Sequence, residues 1–196
     1  MSNPKALVTG ITGQDGSYLA EHLLSQGYQV WGLIRGQANP RKTRVSRLAS
    51  ELEFVDGDLM DQASLVSAVD TVQPDEVYNL AAQSHVRVSF TEPEHTTQVT
   101  AIGAARILEA LRLSEVPARF YQASSSEMFG ATPPPQQEDT ALHPRSPYGV
   151  SKVFAHWMTK NYREGFGMHA VSGILLQLRA QDVKVQFGRI APVSRE

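Results

Sequence analysis

The chain has 196 residues, with 18 Lys plus Arg against 20 Asp plus Glu and a formal net charge of −2, a balance that excludes a dedicated nucleic-acid binder, whose phosphate contacts need a strong basic excess. At 41% hydrophobic and 19% charged the composition is globular rather than disordered, and with no cysteine there is no disulfide framework, thiol nucleophile or Cys-ligated metal centre. No apolar run approaches the roughly 20 residues of a membrane span and none follows Met1, so a cytoplasmic protein with no membrane partner is expected.

Six short β-branched or aromatic runs alternate with segments of helical period. The first, Ala6-Leu7-Val8, leads into Gly10-Ile-Thr-Gly13-Gln-Asp-Gly16 and then a helix with Leu19, Leu23 and Leu24 on one face. Glycines let the backbone turn sharply and approach a pyrophosphate, and the helix start offers unpaired N–H groups and a positive dipole end. Gly10, Thr12, Gly13, Gln14, Asp15 and Gly16 are therefore candidate phosphate-binding residues, with a structural glycine turn as the alternative. The second run, Val30 to Ile34, ends at Arg35, where an NAD enzyme usually carries an acid for the ribose 2′-OH. From His22 to Ser50 there is no acidic residue, while Arg35, Arg41, Lys42, Arg44 and Arg47 form a basic cluster. Such a cluster suits the 2′-phosphate of NADP, so NADP is expected over NAD; the alternative is a solvated loop.

The third run, Glu53-Phe54-Val55, ends in Asp56-Gly57-Asp58-Leu59-Met60-Asp61, placing Asp58 and Leu59 where an adenine would cross the sheet edge; a helix marked by Leu65, Ala68, Val69 and Val72 follows. The fourth, Val77 to Leu80, gives way to Ala81-Ala82-Gln83-Ser84, whose small side chains suit a backbone passing close under a cofactor. Leu80, Ala81, Ala82 and Ser84 join the cofactor candidates, although each segment also reads as a plain turn, with Asp61 as a helix cap. After a helix with Ala104, Ile107, Leu108 and Leu111, the fifth run, Phe120 to Ala123, opens into Ser124-Ser-Ser-Glu-Met-Phe-Gly130. At the carboxyl end of a sheet a hydroxyl can bond a substrate oxygen and a carboxylate can move a proton on carbon; the bland reading is a Ser-rich turn with Glu127 solvated.

Five of the 11 prolines fall between Pro133 and Pro147, which predicts an ordered or semi-ordered loop. Tyr148-Gly-Val-Ser-Lys152 then starts a helix continuing through Val153, Phe154 and Trp157, and its four-residue spacing puts Tyr148 and Lys152 on one face. A phenol with a pKa near 10 needs a shift of about three units, roughly 4 kcal/mol, to act as a base near pH 7. A neighbouring ammonium and an oxidised nicotinamide both push in that direction. The run Val171 to Leu176 completes the order β-α-β-β-α-β-α-β-α-β. The six histidines show no paired metal spacing, so no metal is expected. The pattern predicts an α/β fold, a Rossmann-type doubly wound parallel sheet with helices on both faces. Residues 1–176 form an NADP-binding domain carrying the catalytic residues, and 177–196 a divergent C-terminal tail.

These segments together resemble the extended short-chain dehydrogenase/reductases, and among them the GDP-mannose 4,6-dehydratase family. The resemblance spans about residues 4–175 and rests on Gly10-Ile-Thr-Gly-Gln-Asp-Gly-Ser-Tyr-Leu-Ala-Glu21, Asn79-Leu-Ala-Ala-Gln-Ser-His-Val86, Phe120-Tyr-Gln-Ala-Ser-Ser-Ser-Glu-Met-Phe-Gly130, Pro144-Arg-Ser-Pro-Tyr148 and Asn161-Tyr-Arg-Glu164. It implies that Tyr148, assisted by Lys152, removes the sugar C4 hydroxyl proton while hydride passes to NADP. Glu127 then takes the C5 proton, water leaves C6 with help from Glu127 and Ser125, and hydride returns to C6. The implied substrate is GDP-mannose and the implied product GDP-4-keto-6-deoxymannose. The implied assembly is a homo-oligomer, dimer or tetramer, paired through helices around residues 95–114 and 147–164.

After Ile174 the chain departs from the family. The substrate-binding region is largely missing, and Leu175 to Glu196 stand in its place, with Val183, Val185 and Phe187 alternating as in a strand. The alternative expectation is therefore a truncated, non-catalytic NADP-binding remnant or an oligomerisation partner of a full-length dehydratase. A reductase reusing the Tyr148 and Lys152 pair on another substrate is disfavoured by Glu127.

Overall fold

Each of the six apolar runs is a strand in the computed structural model, which describes residues 3–36 and 44–176. The tail at 177–196, and Arg41 and Lys42 of the basic cluster, lie outside the described residues. The strands are β1 (Lys5–Thr9), β2 (Gln29–Ile34), β3 (Glu53–Asp56), β4 (Glu76–Asn79), β5 (Arg119–Ser125) and β6 (Ala170–Leu175). All pair in parallel, in the order β3-β2-β1-β4-β5-β6. The order reverses between β1 and β4, and such a reversal opens a crevice at the carboxyl ends of the strands.

Near-continuous apolar strands follow from burial on both faces. Leu7, Leu33, Val77 and Phe120 point to one side, where α2 (Gln62–Val72) and α5 (Gly103–Leu113) supply Leu65, Val69, Ile107 and Leu111. Ala6, Val8, Val30 and Tyr78 point to the other, against Leu19, Ala20 and Leu23 of α1 (Gln14–Ser25). Each fully buried Leu or Ile contributes roughly 1.5–3 kcal/mol over an exposed one. The last helix, α6 (Pro147–Phe166), runs back between β5 and β6.

The helix expected around Ala104 to Leu111 is longer than its apolar period shows. It begins as α4 (Pro93–Thr96), passes through a π-helical stretch at Thr97–Ile102 and becomes α5 without a break. A π-turn inserts a residue into the 3.6 period, so the apolar stripe loses phase there. A short α3 (Val86–Thr91), capped by the His85 side chain, also precedes it. The proline-rich loop is ordered, as expected. His143 donates its N–H to the Met128 carbonyl, Ala131 donates to His143, and the Thr132 hydroxyl donates to Ala141. Among the described residues no helix is long and apolar enough to cross a membrane.

Candidate active site

The glycine turn lies at the carboxyl end of β1, next to the reversal. Gly10 has φ +70°, and a Cβ there would sit 2.8 Å from the Ala81 backbone nitrogen, so the ends of β1 and β4 touch at this point. At Gly16 a Cβ would meet the Gly10 oxygen at 2.3 Å, and its absence lets α1 pack directly on the turn. Gly13 is the N-cap of α1 and brings no side-chain cap, so the N–H groups of the first turn face outward beside exposed Gly13 and Gln14. An uncapped helix start with its positive dipole end fits a dinucleotide pyrophosphate. Thr12 and Asp15 are half-buried in the same turn.

The basic cluster divides. Arg35 is exposed just beyond β2, and Arg44 reaches the turn itself, donating to Gln14 Oε1 at 3.1 Å. Arg47 pairs instead with Glu21 on α1 at 3.3 Å. Beyond β3, Asp58 Oδ1 accepts from the Met60 N–H, and buried Leu59 offers its carbonyl to Arg106. Asp61 caps α2, accepting from the Ala63 and Ser64 N–H groups. Leu80, Ala81 and Ala82 are half-buried after β4 and Ser84 is exposed.

Across the reversal, the end of β5 meets the start of α6. Ser146 caps α6 through a bond from the Gly149 N–H, and Pro147 fills the first helical position, where a missing N–H costs nothing. A Cβ on Gly149 would stand 2.8 Å from the Glu127 carbonyl oxygen, so this glycine lets the helix start approach the Ser126–Met128 turn. Ser125, Glu127, Tyr148 and Lys152 are thereby gathered at one strand end. Ser125 Oγ accepts from the Glu127 N–H at 3.2 Å. Glu127 is exposed, whereas Tyr148 and Lys152 are buried. Lys152 Nζ donates to the Ala123 carbonyl at 2.7 Å and stands 5.7 Å from the centre of the Tyr148 ring.

The expected downward pull of the lysine on the phenol is not what the geometry gives. Burial raises the Tyr148 phenol above its ordinary value, a hydrogen bond from Ser125 opposes this, and the negative charges of Glu127 and Asp15 add to the rise. Burial also drives the Lys152 ammonium down from 10.5 to about 8. The lysine thus holds its charge less firmly in the desolvated site, because removing an ionised form from water is costly.

Three site-supporting residues escape a search for reactive motifs: Thr9, Asn79 and Gln122, buried side by side at the strand ends. Asn79 and Gln122 interrupt otherwise apolar runs, and that interruption is the signal that would have found them. Thr100 and Arg106 of the long helix escape too. The Thr100 hydroxyl accepts from the Gln83 N–H and Arg106 holds the Leu59 carbonyl, steadying both cofactor-side turns.

A parallel sheet in this order, with the glycine turn and the tyrosine–lysine pair on either side of its reversal, places the protein among the Rossmann-type epimerases and dehydratases of nucleotide sugars. UDP-glucose 4-epimerase from Brucella ovis in complex with NAD superposes with a TM-score of 0.77 at 29% identity, covering 86% of this chain and 50% of that one. The dTDP-glucose 4,6-dehydratase DesIV from Streptomyces venezuelae, also with NAD bound, gives 0.72 at 26% identity, covering 84% and 52%. Within that class the chain belongs to the GDP-mannose 4,6 dehydratase family, whose sequence model matches residues 7–187. GDP-mannose 4,6 dehydratase 1 of Arabidopsis thaliana is 54% identical over 182 residues, 87% of this chain and 50% of that protein. The GDP-mannose 4,6-dehydratase of Yersinia enterocolitica is 51% identical over 181 residues, 87% and 49%. The chain spans about half the length of the curated relatives it matches.

Proposed function

We propose that this chain carries the cofactor and proton-transfer half of a GDP-mannose 4,6-dehydratase, acting on GDP-mannose with NADP. The observation that carries the reading is the gathering of Ser125, Glu127, Tyr148 and Lys152 at the end of β5, where Ser125 Oγ accepts from the Glu127 N–H and Lys152 Nζ stands 5.7 Å from the centre of the Tyr148 ring. Removing water from a sugar needs a base for a hydroxyl and a second group for a C–H proton, and here a phenol and a carboxylate flank one hydroxyl. Tyr148, as the phenolate, takes the C4 hydroxyl proton, and the Lys152 ammonium beside it balances the phenolate's charge before that transfer. Once C4 is a ketone the C5 proton is acidified, and Glu127 removes it. Glu127 then returns a proton to the departing C6 hydroxyl, with Ser125 bonding that oxygen as water leaves.

The dinucleotide fits the uncapped start of α1, with Gly10, Thr12, Gly13, Gln14, Asp15 and Gly16 at the pyrophosphate, Asp58 and Leu59 toward the adenine, and Leu80, Ala81, Ala82 and Ser84 beneath the nicotinamide ribose. When bound, NADP supplies the hydride acceptor for C4, the hydride donor for C6 and a positive charge near the phenol. NADP is favoured over NAD by exposed Arg35, with Arg44 beside the turn. Pairing as a homo-oligomer through α6 is supported by Val150, Phe154 and Trp157, large apolar side chains exposed at helical spacing.

The test is to supply GDP-mannose with NADP, and in parallel with NAD, and to look for the 4-keto-6-deoxy sugar nucleotide. The expected result is product with NADP, falling by about 10²- to 10⁴-fold in Tyr148→Phe, the usual worth of a positioned acid–base group. NADPH binding by fluorescence with no product would replace this reading with that of a non-catalytic dinucleotide-binding chain. A monomer by light scattering at micromolar concentration would remove the oligomer.

A further inference from the structure

Beneath the reacting groups runs a continuous hydrogen-bonded row that the chemistry above does not use. The Ala81 N–H donates to Thr9 Oγ1 at 3.1 Å, and the Thr9 hydroxyl donates to Asn79 Oδ1 at 2.6 Å. Asn79 Nδ2 donates to Gln122 Oε1 at 2.8 Å, and Gln122 Nε2 donates to the Ala123 carbonyl at 3.0 Å. That carbonyl oxygen is the one that receives Lys152 Nζ at 2.7 Å. Thr9 is 0%, Asn79 1%, Gln122 1% and Lys152 3% exposed, so water cannot substitute for a broken link.

The row has a fixed sense. Because the Ala123 carbonyl can only accept, Gln122 presents its NH2 there and its oxygen to Asn79. Asn79 must then present its NH2 to Gln122 and its oxygen to Thr9, whose hydroxyl donates while its oxygen takes the Ala81 N–H. A flipped amide at either position would set two acceptors or two donors against each other in a dry interior, which costs about 1–3 kcal/mol per unsatisfied group. Gln122 therefore cannot offer its own oxygen to the lysine.

We infer that Gln122 is a positioning residue for Lys152: its amide and the lysine ammonium share the Ala123 carbonyl oxygen, and Thr9 and Asn79 lock that amide in the donor orientation from the cofactor-side turn at Ala81. The site is thus wired so that the lysine's anchor is a neutral carbonyl already engaged by a second donor, and among the described residues no carboxylate is hydrogen-bonded to it. The bond to the carbonyl favours the charged lysine and burial opposes it, bringing the group to about 8. The ionisable groups around it are Tyr148 on its own helix and, acting on that phenol, Glu127 beyond β5 and Asp15 on α1.

The inference rests on Lys152 being the partner of Tyr148, but its test needs neither substrate nor turnover. In the whole chain, ¹³C-labelled at lysine and ¹⁵N-labelled at glutamine, the Lys152 side chain and the Gln122 amide are followed by NMR from pH 6 to 10.5. Loss of signals in Lys152→Met and Gln122→Glu assigns them. The Gln122 amide is expected to shift with the same midpoint as Lys152, since both donate to one oxygen. Gln122→Glu is expected to raise the Lys152 midpoint by about one unit or more, as an adjacent opposite charge does. Thr159→Val, which removes a buried hydroxyl bonded to the Ala155 carbonyl on the same helix, should leave it unmoved. A Gln122 amide that stays flat while Lys152 titrates overturns the inference in the unmodified chain, whether or not Gln122→Glu folds. An unmoved Lys152 midpoint in folded Gln122→Glu overturns it as well. Intact coupling in a chain that forms no product would instead sink the catalytic reading and leave this one standing.

Discussion

The centre of the sheet and its β6 edge are built differently. In the centre, β1 and β4 are buried almost throughout, with helices on both faces, and the turn after β4 is braced by Thr9 and Thr100. At the edge, β6 is buried at Ala170 and half-exposed from Val171 to Leu175. Beside it, Ile174 lines an open groove of about 610 Å³ with Leu142, Val153, His156 and Trp157. The glycine turn stands at the end of the dense centre, whereas Ser125, Glu127, Tyr148 and Lys152 stand where the centre gives way to the loose edge.

Core truncation measures that contrast most directly. Leu7→Ala removes a fully buried side chain from the middle of the central strand and should cost about 2–5 kcal/mol in denaturant unfolding; a loss below about 1 kcal/mol would show the centre to be no denser than the edge. Lys152→Met probes the boundary between the two regions, with the opposite sign. Between about 8 and 10.5 the unfolded chain holds a proton on this lysine that the folded chain has released, so stability rises with pH across that window and the penalty is full below it. Methionine abolishes the penalty, worth about 3 kcal/mol at pH 7 before the loss of the bond to Ala123 is deducted. The expected result is a higher Tm for the variant at pH 7 and a shrinking advantage toward pH 10.5, and an advantage independent of pH would refute it.

Gly16→Ala tests whether the glycine turn depends on close packing. The new Cβ would press on the Gly10 oxygen and on Ile11 Cα at 2.6 Å, backbone atoms that cannot swing away. Overpacking of this kind costs about 1–3 kcal/mol. NADPH affinity by fluorescence should fall about ten- to hundredfold as α1 is pushed off the turn, and unchanged affinity would place the pyrophosphate elsewhere.

The same contrast governs what the sequence makes legible. All six strands could be read because each is a short apolar run, and four helices because Leu and Val repeat at 3.6 residues. Glycine spacing and the Tyr148 to Lys152 interval were visible because backbone approach and helix pitch demand those residues at those distances. Long-range consequences of burial were not visible. The phenol rises because the folded chain surrounds it, and Arg47 leaves the basic cluster because Glu21 lies 3.3 Å away in space. The row from Thr9 to Gln122 joins three strands through the registers Thr9 to Asn79 and Asn79 to Gln122, which appear once the strand order is known. The π-helical stretch at Thr97–Ile102 hid the start of the long helix by shifting its apolar stripe.

Ile174→Ala is the smallest change and the one that sharpens the contrast. Ile174 pairs with Ser124 in the sheet, so its backbone is as regular as that of Leu7, and both are large aliphatic side chains on parallel strands. They differ in what surrounds the side chain. Leu7 is enclosed by α2, α5 and the neighbouring strands, so truncation leaves a cavity whose lining loses its contacts. Ile174 faces the open groove, where solvent fills whatever space the methyl groups leave. Its truncation forfeits partial burial without a cavity term, and should cost under about 1 kcal/mol. A cost matching that of Leu7→Ala would mean that the β6 edge is as closed in solution as the centre.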